Sequence, residues 1–460
     1  MSFRCLASSA WFWPLAVCLG ALALLTGCGS TTDSDGGSGV EGNVEIFSWW
    51  INPGEQEALE TVLSQYTHDN PRATVTNATV DYADKAREEL RKRMLEGIPP
   101  DTFQANTGAD LLNNWVLTNA KDDTESRVES MQEIAAERGW LDSFEPKVLA
   151  AATYKEKLWA LPVNVHRINS LVIRADLFEK HELSVPRNIE ELYALCDRIR
   201  DDEAIQAEAP EGERMACLGL GNKWDWTLSQ MTFEMILPAM TSASYYEQFW
   251  TGKKSGSDDE IIAAMEVALH LYCGGTDTSD CKATSYFNSD CDDIDMKWGV
   301  LRVAEKRAMM AAMGDWAKGL LESEHQRPGK DFDIVPFPGS EATFVFTSDT
   351  FPLPKGASNR AGALALIETF ASVEAQVAFN KLKGSIPARR VGELEMGQFD
   401  SVALGTLRDF REAEKVLALS GLLAPTAMPF LASELKASMR SGSTEIIRNY
   451  VRANYDSIAR

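Results

Sequence analysis

Basic residues are scarce: 45 Lys and Arg stand against 68 Asp and Glu, a net charge of −23. Such a balance offers no basic surface to neutralise a run of phosphates, which argues against nucleic acid as a partner. No Cys-x-x-Cys or His-x-x-x-His spacing occurs and the five histidines are scattered, so the usual ligand sets of a metal centre are missing. No third glycine follows Gly219-Leu220-Gly221, and no glycine stands five positions before Gly252. Gly-x-Ser-x-Gly is also absent, so dinucleotide loops, phosphate loops and hydrolase elbows find no support. Acidic residues are too abundant to single out the carboxylate pair that a glycosidase needs. Repeats at solenoid periods are lacking, and past residue 25 no apolar run approaches the ~20 residues of a transmembrane helix.

What is present begins at the N-terminus. Arg4 precedes an apolar stretch from Trp11 to Leu25, followed by Leu25-Thr26-Gly27-Cys28. That order of a basic residue, a short apolar run and small residues is a signal peptide over 1–27. Residues 29–39 hold Gly, Ser, Thr and Asp and nothing that could anchor a core; with Cys28 they form an expected tether over 28–42. About 420 residues remain, enough for two to three domains.

Eight cysteines occur. With Cys5, Cys18 and Cys28 in the leader and anchor, the body keeps Cys196, Cys217, Cys273, Cys281 and Cys291, an odd number in an oxidising compartment. Cys196 with Cys217 is one possible bridge and a local bridge within 273–291 another; spacing alone does not choose.

Strand-like and helix-like pieces alternate through the first third. Val44 to Ser48 reads as a buried strand, Ala58, Leu59, Val62, Leu63 and Tyr66 recur at helical spacing, and Thr74 to Val80 is strand-like again. A helix through Leu90 and Met94 ends at Pro99-Pro100, before a short strand at Thr102-Phe103. Later, Leu158 to Val165 is extended, and apolar strands at Met309 to Trp316, Ile334-Val335 and Phe344 to Phe346 precede a helical Ala361 to Ala371. The alternation predicts an α/β fold of two lobes interleaved in sequence. The acidic Asp290-Cys291-Asp292-Asp293-Ile294-Asp295 is expected to be a solvated loop. An EF-hand needs Gly and Glu where Asp295 and Leu301 stand.

Polar residues beside aromatics mark the ends of the expected strands: Trp49-Trp50 with Glu55, Gln104 and Asn106 after Phe103, Asp315-Trp316, and Asp349 after Phe344-Val345-Phe346. Ligands of α/β sheets bind outside the carboxyl ends of strands. A pyranose asks for this mixture, an aromatic plate for its C–H face and polar partners for its hydroxyls.

Six stretches carry a resemblance: Phe47-Ser48-Trp49-Trp50 with Glu55, Pro99-Pro100-Asp101-Thr102-Phe103-Gln104, Leu161-Pro162-Val163-Asn164-Val165-His166-Arg167, Met313-Gly314-Asp315-Trp316-Ala317, Ser348-Asp349-Thr350-Phe351 and Lys383-Gly384-Ser385-Ile386. In register over nearly all of the mature chain, they resemble the glucose/galactose-binding proteins of bacterial ABC sugar importers, family 1 extracellular solute-binding proteins. Leu25-Thr26-Gly27-Cys28 is similarly like a lipobox, which implies cleavage before Cys28 and its acylation. The resemblance implies a type II periplasmic-binding-protein fold, with 43–160 and 311–350 in lobe 1 and 161–310 and 351–460 in lobe 2. Hinges are expected at Ala160 to Val165, near Ala311 to Gly314 and near Phe351.

Carried over, the resemblance puts Trp49, Trp50, Glu55, Gln104 and Asn106 in the first lobe's share of the sugar site. Asp349 and Lys383 match the acid and base that hold sugar hydroxyls, and Trp298 the stacking plate, with Trp224 as another aromatic for that place. Asn164 and His166 sit at a hinge, where satisfying the backbone is the ordinary role, and Asp315 at a strand-to-helix junction, where capping is. Two positions depart from the pattern: Asn106 stands where relatives carry His or Lys, and Ser420, in Ser420-Gly421-Leu422-Leu423-Ala424-Pro425, where the family has His-Gly. Both replacements shorten a donor, leaving glucose or galactose beside xylose, mannose or a short oligosaccharide. The implied protein is a monomeric, non-catalytic, extracytoplasmic receptor without cofactor or metal. Its partners are a monosaccharide, the permease subunits of an ABC transporter, and the membrane through the Cys28 lipid alone. A sugar sensor of the same fold and a secreted carbohydrate-active enzyme are the other classes.

Overall fold

A computed structural model describes residues 40–79, 83–117, 125–223, 226–251, 253, 259–275, 284–418 and 433–438, with a few positions between 441 and 449. Cys28, Trp224, Cys281 and Ser420 lie outside the described residues. Val40 onward forms one compact unit, built on two main hydrophobic cores.

The first core starts on strand Gly42–Phe47, whose Val44, Ile46 and Phe47 are buried. It pairs in parallel with Ala73–Asn77 on one side and Thr102–Phe103 on the other. Helix Glu55–Asp69 buries Ala58, Leu59, Val62 and Tyr66, one stripe at helical spacing. It opens at Gly54, whose φ of 80° suits glycine and whose N–H is taken by the Glu57 carboxylate. Helices Arg360–Ala371 and Val373–Lys383 complete this side with Leu366, Ile367, Phe370 and Phe379.

The second core lies around a four-stranded sheet in the order Ala216–Gly219, Ala308–Ala312, Ser170–Ile173, Asp333–Pro336. Its two central strands are buried throughout and read as continuous apolar runs. Helices Ile189–Asp201 and Asp259–Cys273 and the π-helical turn Met231–Ile236 cover it. A disulfide joins Cys196 to Cys217; Cys273 is also disulfide-bonded, and Cys291 is a buried free thiol. Burial pushes that thiol up to about 12.

The chain changes core at places other than those expected. Val165 belongs to the first core and Ile168 to the second; Phe337 belongs to the second and Phe344 to the first; Phe410 belongs to the first and Val416 to the second. Residues 311–335, expected in lobe 1, therefore supply strands and the helix Ala317–Ser323 to the second side, and Ala311 to Gly314 is no crossing. Residues 351–388, expected in lobe 2, pack on the first core through Phe351 to Ala388. The reason is pairing: Ala308–Ala312 lies between Ala216–Gly219 and Ser170–Ile173, which fixes it in that sheet.

Two small sheets occupy the region where the chain crosses. Strand Thr343–Thr347 lies between Glu414–Leu417 and His166–Arg167. Strand Asp349–Pro352 lies antiparallel between Ala105–Asn106 and Ala160–Pro162. The two halves also touch at a glycine contact, where a Cβ on Gly54 would meet the Gly319 carbonyl oxygen at 2.7 Å. Among the described residues no single helix is long and apolar enough to cross a membrane.

Candidate functional site

The register of the second small sheet sets Asp349 opposite Asn106. Side chains of directly opposed residues meet, and Asn106 Nδ2 donates to Asp349 Oδ1 at 3.1 Å. Gln104 Nε2 donates to the same oxygen at 2.8 Å. The Gln104 amide is fixed from behind, because its Oε1 accepts from Ser48 Oγ at 2.7 Å and from the Trp49 N–H at 3.2 Å. Asn164 Nδ2 donates to Asp349 Oδ2 at 2.7 Å while its Oδ1 accepts the Asp349 N–H at 2.8 Å. One buried carboxylate thus holds three amides in place, and burial is tolerable because every donor is matched.

Beside it, His166 Nδ1 lies 2.5 Å from Asp315 Oδ1, and its Nε2 lies 3.9 Å from Asp349 Oδ2. Asp315 Oδ2 accepts the Arg167 N–H at 2.9 Å, and the Asp315 N–H donates to the Arg167 carbonyl at 3.0 Å. The expected capping role of Asp315 is not found. Helix Ala317–Ser323 begins after Trp316 with no side-chain cap, and the Asp315 carboxylate binds across the crossing instead. Trp316 is half-buried and meets the His166 ring edge-on at 5.4 Å.

A third group sits where two helix ends meet. Lys383 closes helix Val373–Lys383, with Gly384 in the left-handed region after it, and Glu55 opens helix Glu55–Asp69. Each charge faces the helix end that favours it. Lys383 Nζ pairs with Glu55 Oε1 at 3.0 Å, and Asn52 Nδ2 donates to Glu55 Oε2 at 3.0 Å. A shallow cleft adjoins Glu55, lined by Asn52, Pro53, Met296, Lys297, Trp316 and Leu320.

The aromatic candidates separate. Trp50 is 1 % exposed and packs on Phe351 and Phe379, so its ring is part of the first core. That placement turns its ring inward, away from the surface, among Phe351 and Phe379. Trp49 faces the other way, half-buried, with the Arg87 guanidinium 4.4 Å from its ring. Trp298 is 48 % exposed on helix Met296–Ala304, next to cleft residues Met296 and Lys297.

Several members were not singled out from sequence. Ser48 orients Gln104. Arg87 covers Trp49 and donates to Asn106 Oδ1 at 2.8 Å. The signal for Ser48 was its place between Phe47 and Trp49; Arg87, on a polar helix surface, carried none. The acidic 290–295 loop, expected to be solvated, is half-buried for most of its length and tied to its surroundings: Asp290 accepts from Asn288 and Arg302, and Asp292 from Asn222 and Tyr272. No group of potential metal ligands occurs among the described residues.

Residues 61–391 match the family of bacterial extracellular solute-binding proteins. The chain belongs to that family. A probable sugar-binding periplasmic protein of Rhizobium meliloti is 28 % identical over 386 residues, covering 83 % of this chain and 84 % of the relative. An ABC transporter extracellular-binding protein of Pyrococcus horikoshii is 27 % identical over 423 residues, covering 88 % and 86 %. Among solved structures, the bacterial solute receptor AcbH, described as having an exclusive preference for β-D-galactopyranose, superposes with a TM-score of 0.72. That match runs at 14 % identity over 91 % of this chain and 97 % of the other. The solute-binding protein therefore has the two-lobed periplasmic-binding-protein fold, with helices and sheets mixed in each lobe.

Proposed function

We propose that this protein is the sugar receptor of an ABC importer, lipid-anchored through Cys28 outside the cytoplasm. A glucose-like monosaccharide would bind between the lobes for delivery to permease subunits. The carrying observation is the Asp349 carboxylate, buried where the chain crosses and gripped by Gln104, Asn106 and Asn164. A preorganised acceptor with amides around it answers the alternating donors and acceptors of a hydroxylated ring. Trp49 and Trp316 beside it supply apolar faces for ring C–H groups, and Lys383 with Glu55 a further donor and acceptor. Family membership favours capture over turnover, and the names of the relatives favour sugar.

Binding to the folded state alone raises the melting temperature. The test is a thermal-shift panel of glucose, galactose, xylose, mannose and short oligosaccharides, followed by calorimetry on those that respond. A response led by glucose or galactose supports the reading. A response led by another sugar moves the assignment within the class, and no response to any of them rejects it. The shortened donors at Asn106 and Ser420 favour the second reading, a receptor for a different or larger sugar. Lipidation is tested by mass spectrometry of the membrane-held form, where an unmodified Cys28 would reject the anchor.

A further inference from the structure

Asn106 is held at three points. Its N–H donates to Asp110 Oδ2 at 2.9 Å, its Nδ2 donates to Asp349 Oδ1 at 3.1 Å, and its Oδ1 accepts from Arg87 Nη2 at 2.8 Å. A side-chain amide nitrogen carries two hydrogens. Asp349 uses one; the other has no partner among the described residues, and the side chain is half-buried at the edge of the polar cluster.

Arg87 reaches this amide from helix Ala83–Leu95, an element separate from the strands that carry Asn106 and Asp349. Its guanidinium lies 4.4 Å from the centre of the Trp49 ring, and its Nε lies 4.0 Å from Asp110 Oδ2. A guanidinium is planar, always charged and without an acceptor, so between that ring and that carboxylate it can only donate. A cation on Oδ1 polarises the amide and strengthens the N–H donors at its other end. Without Arg87 the same amide would offer a ligand an acceptor as well as a donor, on a terminal torsion that is broad by nature. Gln104 shows the same plan: its Oε1 is taken by Ser48 Oγ and the Trp49 N–H, which leaves its nitrogen turned to Asp349.

We infer that Arg87 is a positioning residue that fixes Asn106 as a hydrogen-bond donor to the sugar. The cluster then meets ligand hydroxyls with a donor at Asn106 and an acceptor at Asp349 Oδ2, which takes one amide, that of Asn164. The inference rests on the sugar-receptor reading above.

The experiment is a double-mutant cycle on sugar affinity, read by calorimetry of the purified protein with D-glucose, D-galactose, D-xylose and raffinose. Arg87→Met keeps a good helix former and removes the donor, and Asn106→Ala removes the amide that Arg87 holds. Each alone should raise the Kd of a binding sugar about tenfold, the low end for a hydrogen bond to a charged group. The double variant should also be weaker by about tenfold rather than about a hundredfold, because Arg87 then has no amide to orient. Losses that multiply, or an Arg87→Met variant that binds as the wild type does, overturn the role of Arg87 and leave the receptor reading intact. If Arg87→Met fails to fold, Arg87→Lys, which keeps the charge and loses the planar fork, completes the same cycle with the same two outcomes. Heat from none of the sugars in the wild type overturns both readings.

Discussion

The polar cluster around Asp349 and the cleft beside Glu55 are built on opposite plans, a polar wall and a mainly apolar one. On the first core's side stand Gln104, Asn106, Asn164 and Asp349, polar side chains that satisfy one another. On the second core's side, the cleft beside Glu55 is lined by Met296, Lys297, Trp316 and Leu320, with Trp298 exposed nearby. Polar recognition needs fixed geometry: Asn106 and Asp349 sit on short strands whose register is locked by pairing, and Gln104 and Asn164 are held by their hydrogen bonds beside those strands. Apolar contact is non-directional and tolerates a looser frame. A ligand with hydroxyls on its edges and C–H groups on its faces matches such a division.

The sharpest way to break the contrast is to truncate the two neighbouring tryptophans. Trp50→Ala should cost about 3–5 kcal/mol of stability, as large aromatics lost from cores do, read as a fall in urea midpoint. Trp49→Ala should move stability far less and act on sugar affinity. Equal stability losses in the pair would show that both rings are core.

Asp349→Ala strips the acceptor from three amides. It should raise the sugar Kd about ten- to a hundredfold, the range of a hydrogen bond to a charged group, and lower stability by about 1–3 kcal/mol for the donors left unpaired. Calorimetry and melting together separate the two effects. Unchanged affinity would move the ligand away from the polar wall.

Trp316→Ala tests the apolar wall and should weaken sugar binding about three- to tenfold, the range of one aromatic contact. If it matched the loss in Asp349→Ala, the division of labour between the walls would fail.

The smallest effect expected is on acid stability, and it belongs to the second core. His270 stacks on Tyr193 at 3.7 Å, and burial holds it below its ordinary value of 6.5. A base depressed in the folded state binds more protons when unfolded. Its contribution is therefore full above pH ~6.5 and is lost as pH falls through the folded value. His270→Gln should flatten the melting temperature on the acid side of neutrality; an unaltered acid slope would place the sensitivity elsewhere.

Sequence patterns located the elements well. The strand near Val44, the helix through Ala58 and Tyr66, and the apolar strands near 309, 334 and 344 all appear within a few residues of their expected places. They could not assign elements to a core. Ala308–Ala312 is apolar on both faces and fits any buried sheet, and only its pairing with Ala216–Gly219 and Ser170–Ile173 decides which. Asn164, His166 and Asp315 read as ordinary crossing residues because their partners are 148 to 185 positions away.

Composition, the leader pattern and local periodicity were determined by the sequence alone. Charge sign, apolar spacing and small-residue runs act over a few neighbours, so they argued against nucleic acid and set out an α/β chain. The tertiary structure decided which tryptophan faces the core, which carboxylate gathers the amides, and that Asp315 binds His166 rather than capping a helix. Those outcomes depend on strand register and on burial shared between distant segments. A hydrogen bond gains most of its weight when water has been excluded around it, and that exclusion exists only once the chain has folded.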